Sequence, residues 1–272
     1  MTNSNPPGQN RVRHILSLSG GKDSAALAVY MRDRGHDLEY VFCDTGDELP
    51  ETYDYLERLE AYLGQSIVRL NPDRPFSHYL EVYGGVLPDA RTRWCTRMLK
   101  IKPFERYIKD DPCINYIGIR ADEDRTGYIS SKKNLKACYP FIEDGITRDD
   151  VFSVLKESGL ELPPYYRWRS RSGCYFCFFQ RRIEWVGLLE NHPDLFIRAS
   201  EYEKLDSDVG RRFTWSQRES LGELADPKRV QQIKDEHQCR IAEQQLHREK
   251  KFLKDILDEE EDGSQACLIC HL

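Results

Sequence analysis

The sequence SGGKDS at residues 19–24 lies between two apolar runs, His14 to Leu18 and Ala25 to Met31. The first run predicts a buried strand and the second a helix. A glycine-rich turn between a strand and a helix N-terminus favours anions, because it presents backbone N–H groups and the positive end of the helix dipole. Lys22 adds a full positive charge, and serine hydroxyls suit phosphate oxygens. We therefore predict a phosphate-binding loop, the alternative being an ordinary polar turn.

The rest of the chain alternates predicted strands and helices. Further strands are predicted at residues 37–43, 66–70 and 115–119. Helices are predicted at residues 51–63, 151–158 (with Thr147 as N-cap), 183–202 (broken at His192-Pro193) and 227–261. Strand, loop, helix and strand in this order predict an α/β fold with a parallel sheet, whose ligands lie at the carboxyl ends of the strands. We divide the chain into a flexible tail (1–10), a nucleotide-binding domain (11–203), a charged helical extension (204–262) and a cysteine-containing tail (263–272).

Composition limits the class of protein. The chain has 272 residues, of which 39% are hydrophobic and 32% charged, and its net charge is −6. The charge argues against bulk non-specific DNA binding but leaves room for a local basic site. No apolar run approaches the ~20 residues that span a bilayer, and residues 1–10 lack the apolar core of a signal peptide. We expect a cytoplasmic protein, in which nine cysteines favour metal binding or burial over disulfides.

The loop lacks the G-x-x-x-x-G-K-[ST] pattern of a Walker A motif. It resembles the PP-loop of the adenine nucleotide alpha-hydrolase family, which holds the pyrophosphate of ATP. The resemblance implies a twisted parallel sheet with helices on both faces (the HUP type) and cleavage of MgATP to AMP and pyrophosphate. It also implies nucleotide contacts from Ser17 and from each loop residue, which are Ser19, Gly20, Gly21, Lys22, Asp23 and Ser24. Lys22 and Ser24 are expected to be catalytic.

Three further motifs resemble the phosphoadenosine phosphosulfate (PAPS) reductase branch of this family. Asp44-Thr45-Gly46 begins a D-T-G-x-E-x-P-E-T pattern after the second strand. Asp44 is expected near ribose, adenine or metal. In the alternative, Asp44 only shapes the turn and Asp47 caps the next helix. The segment 91–103 resembles R-x-C-T-x-x-L-K-I-x-P. The segment 118–125 resembles G-x-R-x-x-E-x-R. The resemblance implies phosphate or sulfate contacts from Arg93, Lys100, Lys102, Arg120 and Arg125, with Arg120 catalytic. Solvated or salt-bridged positions are the alternatives for these basic residues.

The cysteines also follow a family pattern. Cys95 precedes the C-x-x-C pair Cys174 and Cys177, whereas the iron–sulfur branch of the family has two adjacent cysteines followed by C-x-x-C. The resemblance implies a [4Fe–4S] cluster held by Cys95, Cys174 and Cys177, whose fourth iron site is either open or filled by another group, with Cys138, Cys267 and Cys270 as candidates. A zinc site and a reduced redox pair are the alternatives.

The stretch YYRWRSRSGCYFCFFQRR at residues 165–182 holds five arginines and seven aromatic residues. Arginines bind backbone phosphates and aromatic rings stack on bases, so the stretch suits nucleic acid through Arg167, Arg169 and Arg171. An apolar, charge-balancing shell around a metal cluster fits equally well.

The sequence most resembles the ATP pyrophosphatase of DNA phosphorothioation (Dnd and Ssp) systems. This resemblance implies DNA, other DNA-modification proteins and a cysteine desulfurase as partners. A sulfonucleotide reductase and a tRNA thiolase are the alternative enzymes, and a scaffold within a modification complex is the alternative without catalysis. A homo-oligomer is compatible with the sequence, which does not fix the oligomeric state.

Overall fold

A parallel five-stranded sheet forms the centre of the computed structural model, which describes residues 12–124, 132–206, 211–216 and 219–250. Its strands are β1 (Arg13–Leu18), β2 (Glu39–Cys43), β3 (Ile67–Leu70), β4 (Cys113–Tyr116) and β5 (Leu135–Cys138). Their order is β3-β2-β1-β4-β5, and every neighbouring pair is parallel. The chain winds outward from β1 to β3 and then returns to β4, so the winding reverses between β1 and β4. Open parallel sheets bind ligands beyond the carboxyl ends of the strands at such a reversal.

Helices cover both faces of this sheet, as the sequence predicted. The helices before β5 are α1 (Lys22–Asp33), α2 (Pro50–Leu63), α3 (Phe76–Val82), α4 (Trp94–Thr96) and α5 (Lys102–Ile108), with a π-turn at Arg97–Ile101. Those after β5 are α6 (Pro140–Glu143), α7 (Arg148–Glu157), α8 (Arg182–Asn191), α9 (Pro193–Glu201), α10 (Leu221–Leu224) and α11 (Pro227–Lys250), with a 3₁₀ turn at Pro164–Arg167.

Alternate residues along the strands face the two helical layers. Leu16 and Phe42 pack with α1, α2 and α7, whereas Ile15 and Val41 pack with Phe104 of α5 on the other face. Because both faces are buried, the strands are apolar along most of their length. The α/β fold class is therefore confirmed.

Several element predictions are confirmed and two need correction. Thr147 caps α7 with a capping box, and Pro193 separates α8 from α9. The fourth strand, however, ends at Tyr116 instead of residue 119, and β5 was not predicted. Only Leu135 of β5 is buried, so this four-residue edge strand has no clear apolar pattern.

An aromatic cluster packs beside the sheet. It contains Phe76, Trp94, Phe176 and Trp185, and it also includes Trp215, whose indole N–H donates to the Ala199 carbonyl at 2.8 Å. Leu221, Leu224 and Ile233 belong to the same cluster. Side chains from both sides of the predicted boundary at residue 203 therefore share one core.

The extension also contains a short antiparallel pair, β6 (Lys204–Asp206) with β7 (Arg211–Phe213), before α11. The predicted tails, and residues 251–261 of the predicted last helix, lie outside the described residues. Within the described ranges, no helix has the length and apolar character needed to cross a membrane.

Candidate functional site

The glycine loop joins β1 to α1 at the reversal point of the sheet. Gly20 has φ +71°, and a Cβ there would overlap the methyl group of Thr52. A Cβ at Gly21 would lie 2.6 Å from the hydroxyl of Ser172. Both glycines are therefore required by the close approach of other segments, in addition to the tight turn at Gly20.

The loop serines bond mainly within the protein. Ser24 Oγ accepts the Ser19 N–H at 3.1 Å and donates to the Gly21 carbonyl at 3.2 Å, and Ser24 is fully buried. Ser17 Oγ donates to Asn115 Oδ1 at 2.8 Å, which ties β1 to β4. The hydroxyls of Ser24 and Ser17 fix the shape of the loop and its supporting strands, and their predicted contacts with nucleotide stay predictions.

An ion-pair network joins the loop to the end of the fourth strand. Lys22 Nζ lies 2.9 Å from Asp23 Oδ2, and Arg120 donates to Asp23 Oδ1 at 3.0 Å. Arg120 also pairs with Asp122 and Glu123. Burial opposes the charge of Arg120, but these three carboxylates outweigh it and raise its pKa. The structure thus brings the predicted residues Lys22, Asp23 and Arg120 together, while Arg125 lies outside the described residues.

A later part of the chain, residues 165–172, covers the loop; we call it the covering segment. Tyr165 donates to the Gly20 carbonyl at 2.8 Å, and the Lys22 N–H donates to the Tyr166 hydroxyl at 3.0 Å. Ser172 donates to Ser19 Oγ at 3.2 Å. These contacts were not predicted, although the tyrosine pair was visible at the start of the arginine-rich stretch.

A cavity of about 660 Å³ opens beside the loop, and we call it the basic cavity. Lys22 and Arg120 line the part nearest the loop. Five further cationic residues line the remaining walls, and these are Arg148, Arg167, Arg169, Arg181 and Lys234. Glu190 is the single carboxylate among the lining residues. Such a concentration of positive charge next to a phosphate-binding loop favours a polyanionic ligand.

Three predicted phosphate contacts do not line the basic cavity. Arg93 donates to the Ala90 carbonyl at 2.9 Å, and its guanidinium lies 5.3 Å from the centre of the Phe179 ring. Lys100 is buried against the cysteines described below, and Lys102 is exposed at the start of α5. The prediction assigned all three to phosphate or sulfate because the segment resembles the substrate-binding segment of the family, and the face that each residue takes was not visible in the sequence.

The predicted cluster cysteines line one small cavity, the cysteine cavity. Cys95, Cys174 and Cys177 surround about 40 Å³ of free space, together with Thr45 and Lys100. Thr45 Oγ1 lies 3.2 Å from Cys174 Sγ. Burial and the nearby carboxylate of Glu48 raise the pKa of the Cys174 thiol. The fold thus brings Cys95 to the C-x-x-C pair, as the prediction requires, although Cys95 precedes Cys174 by 79 positions and Cys177 by 82.

The fit of a metal group to this cavity is partial. Three thiols are the ligands that iron–sulfur clusters and zinc prefer, and they share one cavity. Among the residues that the structure describes, however, no three His, Cys, Asp or Glu side chains form a group able to hold a metal ion. Cys138 is not brought to the cavity: it lies in β5 at the opposite edge from β3, and its thiol contacts Glu143 at 3.8 Å. Cys267 and Cys270 lie outside the described residues.

The turn after β2 contains the remaining predicted site residue, Asp44. Its Oδ1 accepts hydrogen bonds from the Gly46 N–H at 2.9 Å and from the Tyr53 hydroxyl at 2.8 Å, so Asp44 shapes the turn. Asp47 does not cap α2, because the N-cap is Leu49 and has no side-chain bond. Burial first, and the Glu48 carboxylate second, raise the pKa of Asp47 to about 6.

Comparison with known proteins finds a match to the phosphoadenosine phosphosulfate reductase domain over residues 13–178. An uncharacterized protein of Methanocaldococcus jannaschii is 26% identical over 241 residues, covering 80% of this chain and 55% of that protein. The chain therefore spans about half the length of that relative. Adenosine 5'-phosphosulfate reductase 1 of Bacillus subtilis is 28% identical over 160 residues, which cover 56% of this chain and 67% of the reductase. A tRNA-specific 2-thiouridylase of Halalkalibacterium halodurans is 26% identical over 150 residues, covering 50% of this chain and 38% of that enzyme.

Proposed function

The chain belongs to the phosphoadenosine phosphosulfate reductase domain family, and we propose that it is an ATP pyrophosphatase that activates an acceptor for sulfur transfer. One observation carries the proposal. The glycine loop presents Lys22 to a cavity with six other cationic residues, at the reversal point of a parallel sheet. A triphosphate with its Mg²⁺ is the small polyanion that such a loop and cavity suit.

The residues have distinct roles in this reaction. The loop N–H groups and Lys22 bind the β- and γ-phosphates, which leave as pyrophosphate. Arg120, held in place by its three carboxylates, faces the α-phosphate and stabilises the charge that develops there. Ser24 acts indirectly by holding the turn. Mg²⁺ would enter with ATP and offset phosphate charge; Asp23, in the first turn of α1, and Asp44, directly after β2, are the carboxylates that suit it.

The acceptor completes the reaction. An acceptor oxygen attacks the α-phosphorus, the bond to the bridging oxygen breaks, and pyrophosphate leaves an adenylylated acceptor. A sulfur nucleophile then displaces AMP. In our proposal the acceptor is a DNA backbone phosphate, the product is a phosphorothioate, and a cysteine desulfurase supplies the sulfur as a persulfide. The terminal persulfide sulfur bonds to phosphorus as AMP leaves. A second thiol then attacks the inner sulfur, so the S–S bond breaks, the phosphorothioate is released, and the two thiols supply its two electrons by forming a disulfide. The arginines of the covering segment, beside the loop, support a phosphate-bearing acceptor.

The cysteine cavity belongs to the same proposal. Arg169 lines the basic cavity and donates to the carbonyls of Gly173 and Cys174, so one side chain connects the two cavities. Cys95, Cys174 and Cys177 would hold a [4Fe–4S] cluster, or zinc in its place. Such a cluster, with one iron site left open, would supply a binding position for sulfur.

A sulfonucleotide reductase is the second candidate, and the cysteine cavity beside the nucleotide site favours it. In that reaction a cysteine thiolate attacks the sulfate sulfur of a phosphosulfate, the S–O bond to the phosphate breaks, and the nucleotide leaves a cysteine S-sulfonate. A second thiol then releases sulfite by forming a disulfide, and ATP is not cleaved. The relative from Bacillus subtilis is named for such an activity. The two candidates differ in what they do to ATP, which makes them separable by product analysis.

The test is incubation of anaerobically purified protein with MgATP, short DNA, a thiol reductant, and a cysteine desulfurase with free cysteine as the sulfur source, followed by separation of the nucleotide products. We expect AMP and pyrophosphate from the wild type and neither from Lys22→Ala. Lys156→Ala is the matched control, because Lys156 is an exposed lysine on α7 outside both cavities. Formation of sulfite in a parallel incubation with a phosphosulfate and a thiol reductant, with no AMP from ATP, would establish the reductase instead.

A further inference from the structure

The basic cavity contains more positive charge than its own carboxylates neutralise. Lys22, Arg120, Arg181 and Lys234 each pair with an acidic side chain. In the described part of the chain, no ion pair involves Arg148, Arg167 or Arg169. Three arginines from two separate segments therefore reach one cavity without a protein counter-charge.

Arg169 is the most deeply buried of these three arginines. It is only 2% exposed, and its two terminal nitrogens donate to the carbonyls of Gly173 and Cys174 at 3.0 and 2.8 Å. Its Nε is buried and has no hydrogen-bond partner among the described residues. A buried charge without a counter-charge is costly, so an anion in the adjoining cavity would stabilise it.

Aromatic rings alternate with these arginines on the cavity wall. Trp168 lies between Arg167 and Arg169, and Phe152 lies one helical turn after Arg148 on α7. Trp168 is held in place by close packing on Gly187 of α8, where a Cβ would lie 2.6 Å from the indole ring. A fixed ring beside a basic groove is the arrangement that proteins use to stack a base while cations track the backbone of a single strand.

The size of the cavity restricts the ligand further. At about 660 Å³ it lies within the range of roughly 300–1,000 Å³ that small-molecule pockets occupy. A duplex does not fit such a space, whereas one or two nucleotides of an unpaired strand do. Enzymes that act inside such pockets take single strands or extrude the target nucleotide from the duplex.

We propose that the far part of the basic cavity binds an unpaired nucleic-acid strand, with Arg148 and Arg167 on backbone phosphates and Trp168 under a base. This inference rests on the proposed function, because it supplies the acceptor that the adenylylation step needs. The inference adds that the acceptor binds as an unpaired strand. Arg148 of α7 and Arg167 of the covering segment bind this strand, whereas Lys22 and Arg120 bind ATP.

The experiment measures binding of fluorescein-labelled oligonucleotides to the full chain by anisotropy. The strand is offered as single-stranded DNA, as RNA of the same sequence and as the DNA duplex. α,β-Methylene-ATP is present, so that a nucleotide resistant to α–β cleavage fills the loop. The double variant Arg148→Gln/Arg167→Gln is compared with Arg34→Gln/Arg58→Gln, which changes two exposed arginines outside the cavity. Thermal unfolding of each variant confirms that it is folded.

We expect the wild type to bind the single strand more tightly than the duplex. The cavity variant should raise the Kd for the strand by about tenfold, while the control variant should not change it. In the cavity variant, the slope of log K against log salt should become less steep by about 1.4, since each of the two lost phosphate contacts on a single strand contributes ~0.7 to the slope. Tighter binding of RNA than DNA would support the site and identify RNA as the acceptor.

Three results would overturn the inference: preference for the duplex, equal strand affinity of the two double variants, or no strand binding by the wild type. Loss of α,β-methylene-ATP affinity in the cavity variant, without loss of strand affinity, would assign the arginines to the triphosphate. The proposed function is tested separately by AMP formation. Arginine-dependent strand binding without AMP formation would keep the strand site and reject the adenylylation.

Discussion

The hydroxyl of Tyr166 accepts a hydrogen bond from the backbone N–H of Lys22 at 3.0 Å, at the first residue of α1. This N–H points out of the helix N-terminus, where a phosphate oxygen would bind. The Lys22 ammonium also lies 5.6 Å from the centre of the Tyr166 ring. A bound phosphate and the tyrosine hydroxyl therefore compete for the same donor.

Tyr166→Phe should bind ATP more tightly than the wild type. The substitution removes the hydrogen bond that the phosphate must displace, which is worth about 1 kcal/mol, or a roughly fivefold lower Kd. Calorimetric titration with α,β-methylene-ATP measures the change. Tyr62→Phe, on α2 away from the loop, serves as the control. Weaker binding by Tyr166→Phe would mean that the hydroxyl contacts the nucleotide instead of competing with it.

Gly20→Ala should destabilise the protein through two separable effects. A side chain at φ +71° costs about 1–2 kcal/mol, and the added Cβ overlaps the Thr52 methyl group. Thr52→Ser removes that methyl group, so the double variant should recover the steric part of the loss but not the backbone part. Urea unfolding of the two single variants and the double variant separates the terms. If Thr52→Ser gives no recovery, the overlap with Thr52 is not a source of the loss.

The sequence was sufficient for β1 to β4 because these strands appear as short apolar runs, whereas the edge strand β5 has no such run. The same signal was misleading after β4. Ile117 and Ile119 are as buried as strand residues, but Gly118 passes against the first turn of α1, where a Cβ would lie 2.9 Å from the Asp23 carbonyl oxygen. Apolar periodicity does not distinguish a strand from a buried segment that crosses a helix end.

The loop, Lys22 and Arg120 were also predictable, because local motifs encode them. The contacts of the covering segment were not. Tyr166 is 144 residues from Lys22, and no local pattern shows that a distant tyrosine reaches a helix N-terminus. Arg148 was missed for a different reason: it follows the capping residue Thr147, and its place at a helix start gave no sign that it lines a cavity.

Glu184 should support stability at neutral pH and lose this role in acid. It is fully buried and accepts hydrogen bonds from the Ser170 N–H and hydroxyl at 2.8 and 2.6 Å and from the Arg181 N–H at 2.9 Å. Burial opposes its charge, but these donors outweigh it and lower the pKa of Glu184. A lowered folded pKa contributes stability above the unfolded value of 4.5, which is lost as the pH falls through the folded pKa.

Glu184→Gln should therefore unfold more easily than the wild type at pH 7, by about 2 kcal/mol, since one oxygen acceptor becomes a buried amide donor. The difference should shrink as the pH is lowered below 4.5. Urea unfolding across this range, with the exposed Glu201→Gln as control, measures it. A difference that is independent of pH would show that packing, and not the charge, is what the substitution removes.

Cys95→Ser and Cys177→Ser should each remove bound iron and sulfide from anaerobically purified protein, since both thiols line the cysteine cavity. Cys138→Ser should keep both, because β5 lies at the far edge of the sheet and Cys138 does not line that cavity. Cys113→Ser, at the start of β4, is the matched control for a buried cysteine outside the cavity. Metal analysis and the visible absorption spectrum read out the cluster. If the wild-type protein is colourless and contains zinc, the site is a zinc site and not a cluster site. If Cys138→Ser loses iron, β5 must move toward the cavity when the cluster binds.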